Sequence, residues 1–389
     1  MDNKDDNFIC PPGYITLDYR NTSDDNVGWT HTYKEMIIRA GVFPSIMIFG
    51  LISNLLFMFV LIRVKEMRTI TNFYLANLAV ADFLYLFMQG LTTGLNVLTY
   101  GIVQGQFYRS SVGCNISGTF LYMPYFTSIG LITLVSFERF IGVCYPLKSR
   151  KWSSKSRTVK LVIFTWILGF LPTLLRIPNK NRFLNFCIMW PNRARYDGFP
   201  HFTRVCTWTN RKFVRAWPFV EFIPFTIAMV CNTVFYTMII KTLSKRSDGI
   251  GEKSRDTSMK GNNLRNHVAR MLITNGVAFF ICMSPYQFAQ VCWVIMEFTD
   301  LPIPFWTPGF EYAFFRVAAA MTLVNSAINP VVYGASNPRV RKAFRQAFGC
   351  DTLIPSQPSP VIQNSSQSTS TRQQPQIHKI EAISDANVM

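Results

Sequence analysis

The sequence predicts an all-α membrane protein: a seven-transmembrane helix bundle with a short amphipathic cytoplasmic helix after helix seven. Three observations predict it. Charged residues make up 15% of the chain and apolar residues 49%, whereas a soluble domain carries about 25% charge. Apolar stretches of about 20 residues, the length that crosses a hydrocarbon core, recur along the first 335 residues. Lysines and arginines gather beside alternate stretches, as the bias that fixes helix orientation requires.

The spans fall near Ile37–Ile62, Thr71–Leu98, Gly113–Val143, Val159–Leu175, Trp217–Ile240, Val268–Met296 and Tyr312–Tyr333. This divides the chain into an extracellular N-terminal tail (1–36), the bundle (37–335), an amphipathic helix with a lipidation site (336–350) and a disordered cytoplasmic tail (351–389). The opening "MDNKDDNF" has no basic n-region or apolar h-region, so no cleavable signal peptide is expected and the first span serves as its own insertion signal. Arg63, Lys65 and Arg68 follow the first span, and basic clusters fill the loops after the third and fifth. The N-terminus is therefore expected outside, in the plasma membrane, and the C-terminus inside.

The loop between spans four and five is also basic, from Arg176 to Arg215, with Asp197 its only acid. Its length partly exempts it from the rule. The net charge of +18 is thus split between two faces; anionic lipid explains the juxtamembrane share, and no nucleic-acid partner is expected. The outer loop either steers acidic peptides inward or pairs with the acids of the N-terminal tail, Asp2, Asp5, Asp6, Asp18, Asp24 and Asp25. Both readings stay open.

Cys10, Cys114, Cys187 and Cys206 lie on the outer side under this topology, with Cys292 at the outer end of span six, where disulfides survive. The four loop or tail cysteines allow three pairings, and sequence does not choose among them. Cys114–Cys206 is favoured because Cys206 leaves a short lead into span five, with Cys10–Cys187 second. Asn21-Thr22-Ser23 is an exposed glycosylation sequon.

Asp82 sits within the second span, and an intramembrane acid is costly unless paired, neutralised or metal-bound. Asn54, Ser128, Asn325, Ser326 and Asn329 supply further polar groups in other spans. They form either a network of interhelical hydrogen bonds or, with Asp82 as the metal ligand, an oxygen-rich pocket for sodium. No other cofactor is expected. Pro124, Pro172, Pro224, Pro285 and Pro330 interrupt five spans; each removes a backbone donor, and the freed carbonyls need new partners.

Taken in order, Gly50 and Asn54, Leu78-Ala79 and Asp82, Cys114 and Glu138-Arg139, Trp166, Pro224, Phe279, Cys282 and Pro285, and Asn329-Pro330-x-x-Tyr333 resemble the rhodopsin-like (class A) G-protein-coupled receptors over roughly residues 37–350. The resemblance implies that Arg139, held by Glu138 in a charge-assisted bond, is released toward a heterotrimeric G protein as helix six swings outward, with Phe279, Pro285, Asn329, Pro330 and Tyr333 in the moving parts. The basic end of helix six, Arg265 to Arg270, would border that cleft. An isolated Glu-Arg pair would instead be read as snorkelling to the headgroups.

After Tyr333, "SNPRVRKAFRQAFGC" reads as an interfacial helix with Asn337 as N-cap, Pro338 at its first position and Val340, Phe344 and Phe348 in one apolar stripe. Cys350 then invites palmitoylation. The cluster Ser365, Ser366, Ser368, Thr369, Ser370 and Thr371 is either plain linker or a phosphorylation site, which the resemblance implies arrestin would read.

Several positions depart from the family pattern. Met283 stands where the family has Trp after the helix-six Cys, Phe140 replaces Tyr after Arg139, Asn232 replaces a helix-five Tyr for which Tyr236 could substitute, and Glu221 takes a usually aromatic place. Leu121 and Tyr122 stand where amine receptors carry Asp, and helix seven lacks a retinal-type Lys. The resemblance therefore implies an extracellular neuropeptide, with receptors of the neuromedin U, thyrotropin-releasing hormone and FMRFamide-like groups the most similar. Tyr122, Glu221, Tyr286, Gln287, Gln290, Glu311 and Arg316 are the candidate pocket groups, with Glu221 either meeting a cationic ligand or bonding Gln287 across to helix six. The histidines and cysteines show no catalytic or metal spacing, so no enzyme is expected. A peptide-capturing receptor that does not signal, or signals through arrestin alone, is the alternative, kept open by Met283; a transporter would need repeated halves.

Overall fold

Seven helices long and apolar enough to cross a membrane form one bundle in the computed structural model, which describes residues 8–349 other than 24–26, 28, 101–102, 107, 109, 153, 179–181, 249–256 and 300–302. They are α1 (Tyr33–Arg63), α2 (Ile70–Tyr100), α3 (Ser111–Cys144), α4 (Lys155–Arg176), α5 (Arg211–Asp248), α6 (Thr257–Thr299) and α7 (Pro308–Ser336). A short helix, Pro146–Trp152, links α3 to α4, and α8 (Pro338–Ala347) follows α7. Cys350, the serine-threonine cluster, five of the tail acids (Asp2, Asp5, Asp6, Asp24, Asp25) and the side chains of Arg265 and Arg270 lie outside the described residues.

Large apolar side chains such as Ile52, Phe59, Ile163, Ile167, Ile227 and Ile281 point outward, while Asn54, Asp82, Asn325 and Asn329 are buried between helices. That distribution suits lipid, which solvates apolar groups and leaves polar ones to find each other. Helix ends are set locally. The first helix starts at Tyr33, ahead of the expected Ile37, because Thr32 and Glu35 close a capping box. A π-helical turn, Ile38–Val42, precedes Pro44, which stands in the first turn of the following α-helical segment. Thr307 caps α7 and Asn337 caps α8, each followed by proline in the first turn.

The prolines are accommodated by neighbours. Pro330 cannot donate to the carbonyl of Ser326, and the Asn54 side-chain amide of α1 donates to that carbonyl instead at 2.9 Å. The Ser53 hydroxyl caps Ala327 O beside it at 2.9 Å. The two backbones come this close because residue 50 is glycine: a Cβ there would lie 2.8 Å from that of Ala327 and 2.5 Å from Leu86 Cδ1.

A small sheet covers the N-terminal face of the bundle, which the all-α expectation did not include. Strand β1 (Ile15–Asp18) pairs parallel with β2 (Arg182–Met189), and β2 pairs antiparallel with β3 (Phe202–Thr207). The register sets Ile15 opposite Phe186 and Phe183 opposite Cys206. Disulfides Cys10–Cys187 and Cys114–Cys206 fasten this sheet to the tail and to the first turn of α3. Cys292 is a buried free thiol. Beneath the β2–β3 connection, Val27, Val103, Ile188, Trp190 and Tyr196 pack as a second core. Main-chain pairing, sulfur and ring contacts such as Phe8–His201 join the tail to the loop; Asp18, the one tail aspartate among the described residues, bonds Arg20 of its own tail at 2.7 Å, and that contact holds its carboxyl below the usual range.

Candidate functional site

Just inside the sheet-covered face, α3, α4, α5 and α6 converge on an aromatic and polar cluster. Glu221 of α5 is 1% exposed. Its Oε1 accepts from the indole N–H of Trp217, one turn earlier on the same helix, and its Oε2 accepts from Gln290 of α6 at 3.2 Å. Gln290 also reaches the Tyr286 hydroxyl at 3.1 Å. The Tyr122 ring meets Trp217 edge-on at 5.2 Å, and Trp217 lies 5.7 Å from Trp208. The amide of Gln287 donates to Tyr125 at 2.7 Å. Expectation and structure part here: the α6 partner of Glu221 is Gln290, because residues three apart on a helix point about 60° apart and Gln287 turns toward α3.

Of the seven expected pocket residues, Tyr122, Glu221, Tyr286 and Gln290 thus share one network, while Gln287 bonds Tyr125 of α3. Glu311 takes the first turn of α7, where an acid complements the helix dipole. Arg316 bonds the Tyr312 hydroxyl at 2.7 Å and stacks on that ring, facing the start of α1. Sequence reading missed Trp208, Trp217, Tyr125 and Arg176. The spacing of Trp217 four residues before Glu221 on one helix was the available signal.

Deeper in the bundle, Asp82 is 1% exposed and its Oδ2 accepts from Asn329 at 2.6 Å. Among the described residues no donor meets hydrogen-bond geometry at its Oδ1, though Ser128 and Ser326 stand close enough to act on the carboxyl. Above it, Tyr85, Tyr125, Ser128, Phe279, Met283, Thr322, Asn325 and Ser326 line a small cavity. Met283 is buried in the main core with Phe279 and Phe126. Its flexible thioether fills irregular space at the floor of the aromatic cluster.

At the opposite, α8-bearing face, Glu138 meets Arg157 of α4 at 3.7 Å. Together with Arg139, Glu138 lines a groove that includes Glu66, Asn72, Gly142 and Arg339. Tyr333 is fully buried against Phe57. Tyr236 of α5 shares a 2.6 Å hydrogen bond with Ser136 of α3, and Asn232 donates to Thr133 at 3.0 Å. Asn232, which departs from the family pattern, and Tyr236, which could stand in for the Tyr it replaces, therefore both bind α3. Arg341 of α8 caps Ala335 O at 2.7 Å, and the Phe348 ring lies tilted against Phe59 of α1 at 5.7 Å.

Residues 53–333 match the family described as "7 transmembrane receptor (rhodopsin family)". The chain is 26% identical over 337 residues to the neuromedin U receptor homolog nmur-2 of Caenorhabditis elegans, covering 80% of this chain and 78% of the relative. It is 27% identical to mouse (Mus musculus) somatostatin receptor type 2 over 332 residues, 82% and 80% of the two chains. It is also 27% identical to rhodopsin of Psalidodon fasciatus over 305 residues, 77% and 78%. The helix order, the polar contacts around Asp82 and Pro330, and a family match over most of the chain agree: this multi-pass membrane protein belongs to the rhodopsin-like seven-transmembrane receptors, a family of signalling receptors and not of enzymes.

Proposed function

We propose that the chain is a plasma-membrane receptor for an extracellular peptide that enters at the sheet-covered face and activates a heterotrimeric G protein at the α8 face. The observation that carries this reading is the buried Glu221–Trp217–Gln290–Tyr286 network under a covalently fixed roof. Polar groups held in place among aromatic rings suit ligands with both apolar and hydrogen-bonding parts. Neuromedin U and somatostatin receptors among the relatives favour a peptide, and the face bearing the disulfides is the one expected in an oxidising compartment. Ligand binding would shift the population toward a state in which α6 moves and Arg139 meets the G protein.

Asn21, exposed on the tail, is the proposed glycan site. Cys350 is the proposed palmitate site, and the serine-threonine cluster the proposed arrestin contact. For the Asp82 cluster we propose an allosteric sodium ion: the free lone pairs of Asp82 Oδ1 and Asn54 Oδ1 and nearby serine hydroxyls suit a small hard cation. Replacing sodium with potassium should then change ligand affinity in the native chain and leave Asp82→Asn unchanged.

The deciding experiment is G-protein activation in cells displaying the full chain, challenged with a neuropeptide library, beside Arg139→Ala. A response lost in the mutant at equal display supports the reading. Peptide binding with no G-protein response in either protein supports the capturing or arrestin-only alternative, which a Met283→Trp variant then probes.

A further inference from the structure

Arg176, the last residue of α4, is a buried cation with no acid in ion-pair contact among the described residues. It is 7% exposed, its Nε has no hydrogen-bond partner, and no carboxylate of the described residues forms an ion pair with it. Instead its guanidinium lies over Tyr122 at 4.9 Å and Trp208 at 5.8 Å. Glu221 acts on Arg176 through its charge without an ion-pair contact, and its two oxygens accept from Trp217 and Gln290. A buried ion left unpaired is disfavoured, and stacking on aromatic faces recovers only part of its hydration.

The position is built for this arginine. A Cβ on Gly118 of α3 would lie 1.2 Å from Arg176 Nη1 and 2.4 Å from Cζ, so the guanidinium rests against the α3 backbone in space that only glycine leaves. Gly118 is one turn below Cys114, and Trp208 follows two residues after Cys206, so the disulfide places the lid ring over the cation. Tyr108 is close as well: burial pushes its phenol up, while Ser117 and the Arg176 charge pull it back.

We propose that Arg176 is the receiving group for a carboxylate on the ligand, seated beneath Trp208 and beside Tyr122. The cluster then has two poles, a guanidinium at α3/α4 and the Glu221 network at α5/α6, joined by Tyr122 and Trp217. This rests on the ligand-binding reading above and names the chemistry one end of the ligand must carry. A planar fork on a fixed stack gives a carboxylate two parallel hydrogen bonds, and Trp208 moves aside to admit it.

The test uses the full chain in nanodiscs and two probes, N-acetyl-phenylalanine and its amide, followed by thermal unfolding against probe concentration. The acid is expected to stabilise the native protein at concentrations about tenfold or more below the amide, and the preference is expected to vanish in Arg176→Gln. Gly118→Ala, which displaces the guanidinium without removing its charge, is expected to reduce the preference as well. Because Arg176→Gln could misfold, Arg176→Lys keeps the charge without the fork and should retain a weaker preference. Equal stabilisation by acid and amide in the native protein, or a preference that survives Arg176→Gln, overturns the assignment. In cells, paired peptides ending in carboxylate or amide, or carrying Glu or Gln, identify which carboxylate is read. Acid-selective stabilisation with no peptide-driven G-protein response would retain Arg176 and sink the receptor mechanism instead.

Discussion

The two ends of the bundle are held by different chemistry. The sheet-covered face is closed by two disulfides, three paired strands and the Arg215–Glu297 contact between α5 and α6 at 2.7 Å. At the α8 face, among the described residues, α3 meets α4 through the 3.7 Å Glu138–Arg157 pair and α5 through single hydrogen bonds such as Tyr236–Ser136. One end is fixed covalently, the other by contacts that each contribute about 1 kcal/mol. A ligand that adds contacts at the stiff end can therefore change the balance at the loose end, where motion costs least.

Cutting the covalent tie should have the largest effect. Loss of a native disulfide costs about 2–5 kcal/mol, so Cys114→Ser is expected to lower surface display several-fold and abolish ligand response, because β3 and Trp208 lose their anchor to α3. Cys10→Ser should cost less, since β1 remains paired with β2. Equal losses in the two variants, by flow cytometry of tagged cells, would contradict a roof hinged mainly on α3.

Between the two ends, Asn54→Ala leaves the Ser326 carbonyl freed by Pro330 unpaired, at a cost of about 1–3 kcal/mol. Thermal unfolding of the purified variant should show that loss, and Asn54→Asp, which offers no amide donor, should not restore it. A native-like melting temperature for Asn54→Ala would mean that another donor reaches the carbonyl.

The parts legible in the sequence are those with local causes. Asn337-Pro338 and the Val340/Phe344/Phe348 spacing give α8 because a cap and a stripe are read within one short segment. The sheet escapes such a reading: β1 is four residues long, and the bridge that anchors the tail beside its partner joins cysteines 177 residues apart. Asp82 stood out because any intramembrane acid does, whereas Arg176, at the end of an apolar run, looks like an ordinary snorkelling cation. Its burial depends on the missing side chain of Gly118 on another helix. For Glu221 the sequence offers a cationic ligand or Gln287 and the structure has Gln290, since choosing between Gln287 and Gln290 requires the rotation of α6 about its axis.

At the loose end, Tyr236→Phe removes the hydrogen bond to Ser136 at constant shape, worth about 1 kcal/mol. If that bond holds the resting arrangement of α3 and α5, ligand-free G-protein activity should rise by about fivefold; if it belongs to the active arrangement, maximal response should fall by a similar factor. Unchanged basal and maximal responses would remove Tyr236 from the transition and leave Arg157–Glu138 as the contact to test.

The smallest effect is expected where the N-terminal segment enters α1. His31 is buried, accepts a 2.8 Å hydrogen bond at Nε2 from Arg39, and has Glu35 3.7 Å from Nδ1. Burial first, and then the Arg39 charge, lower its pKa from 6.5 to about 4, with Arg316 adding to the shift and Glu35 opposing it. Between those values the unfolded chain binds a proton that the folded chain refuses. The stabilisation is therefore complete above pH 6.5 and is lost as pH falls toward 4. Hydrogen exchange of the first turn of α1 should accelerate between pH 7 and 5, after correction for intrinsic rates, and His31→Gln should remove that dependence. Because the capping box of Thr32 and Glu35 survives protonation, opening should stay within this turn; acid-induced exchange spreading into β1 or α7 would show that His31 also supports the roof.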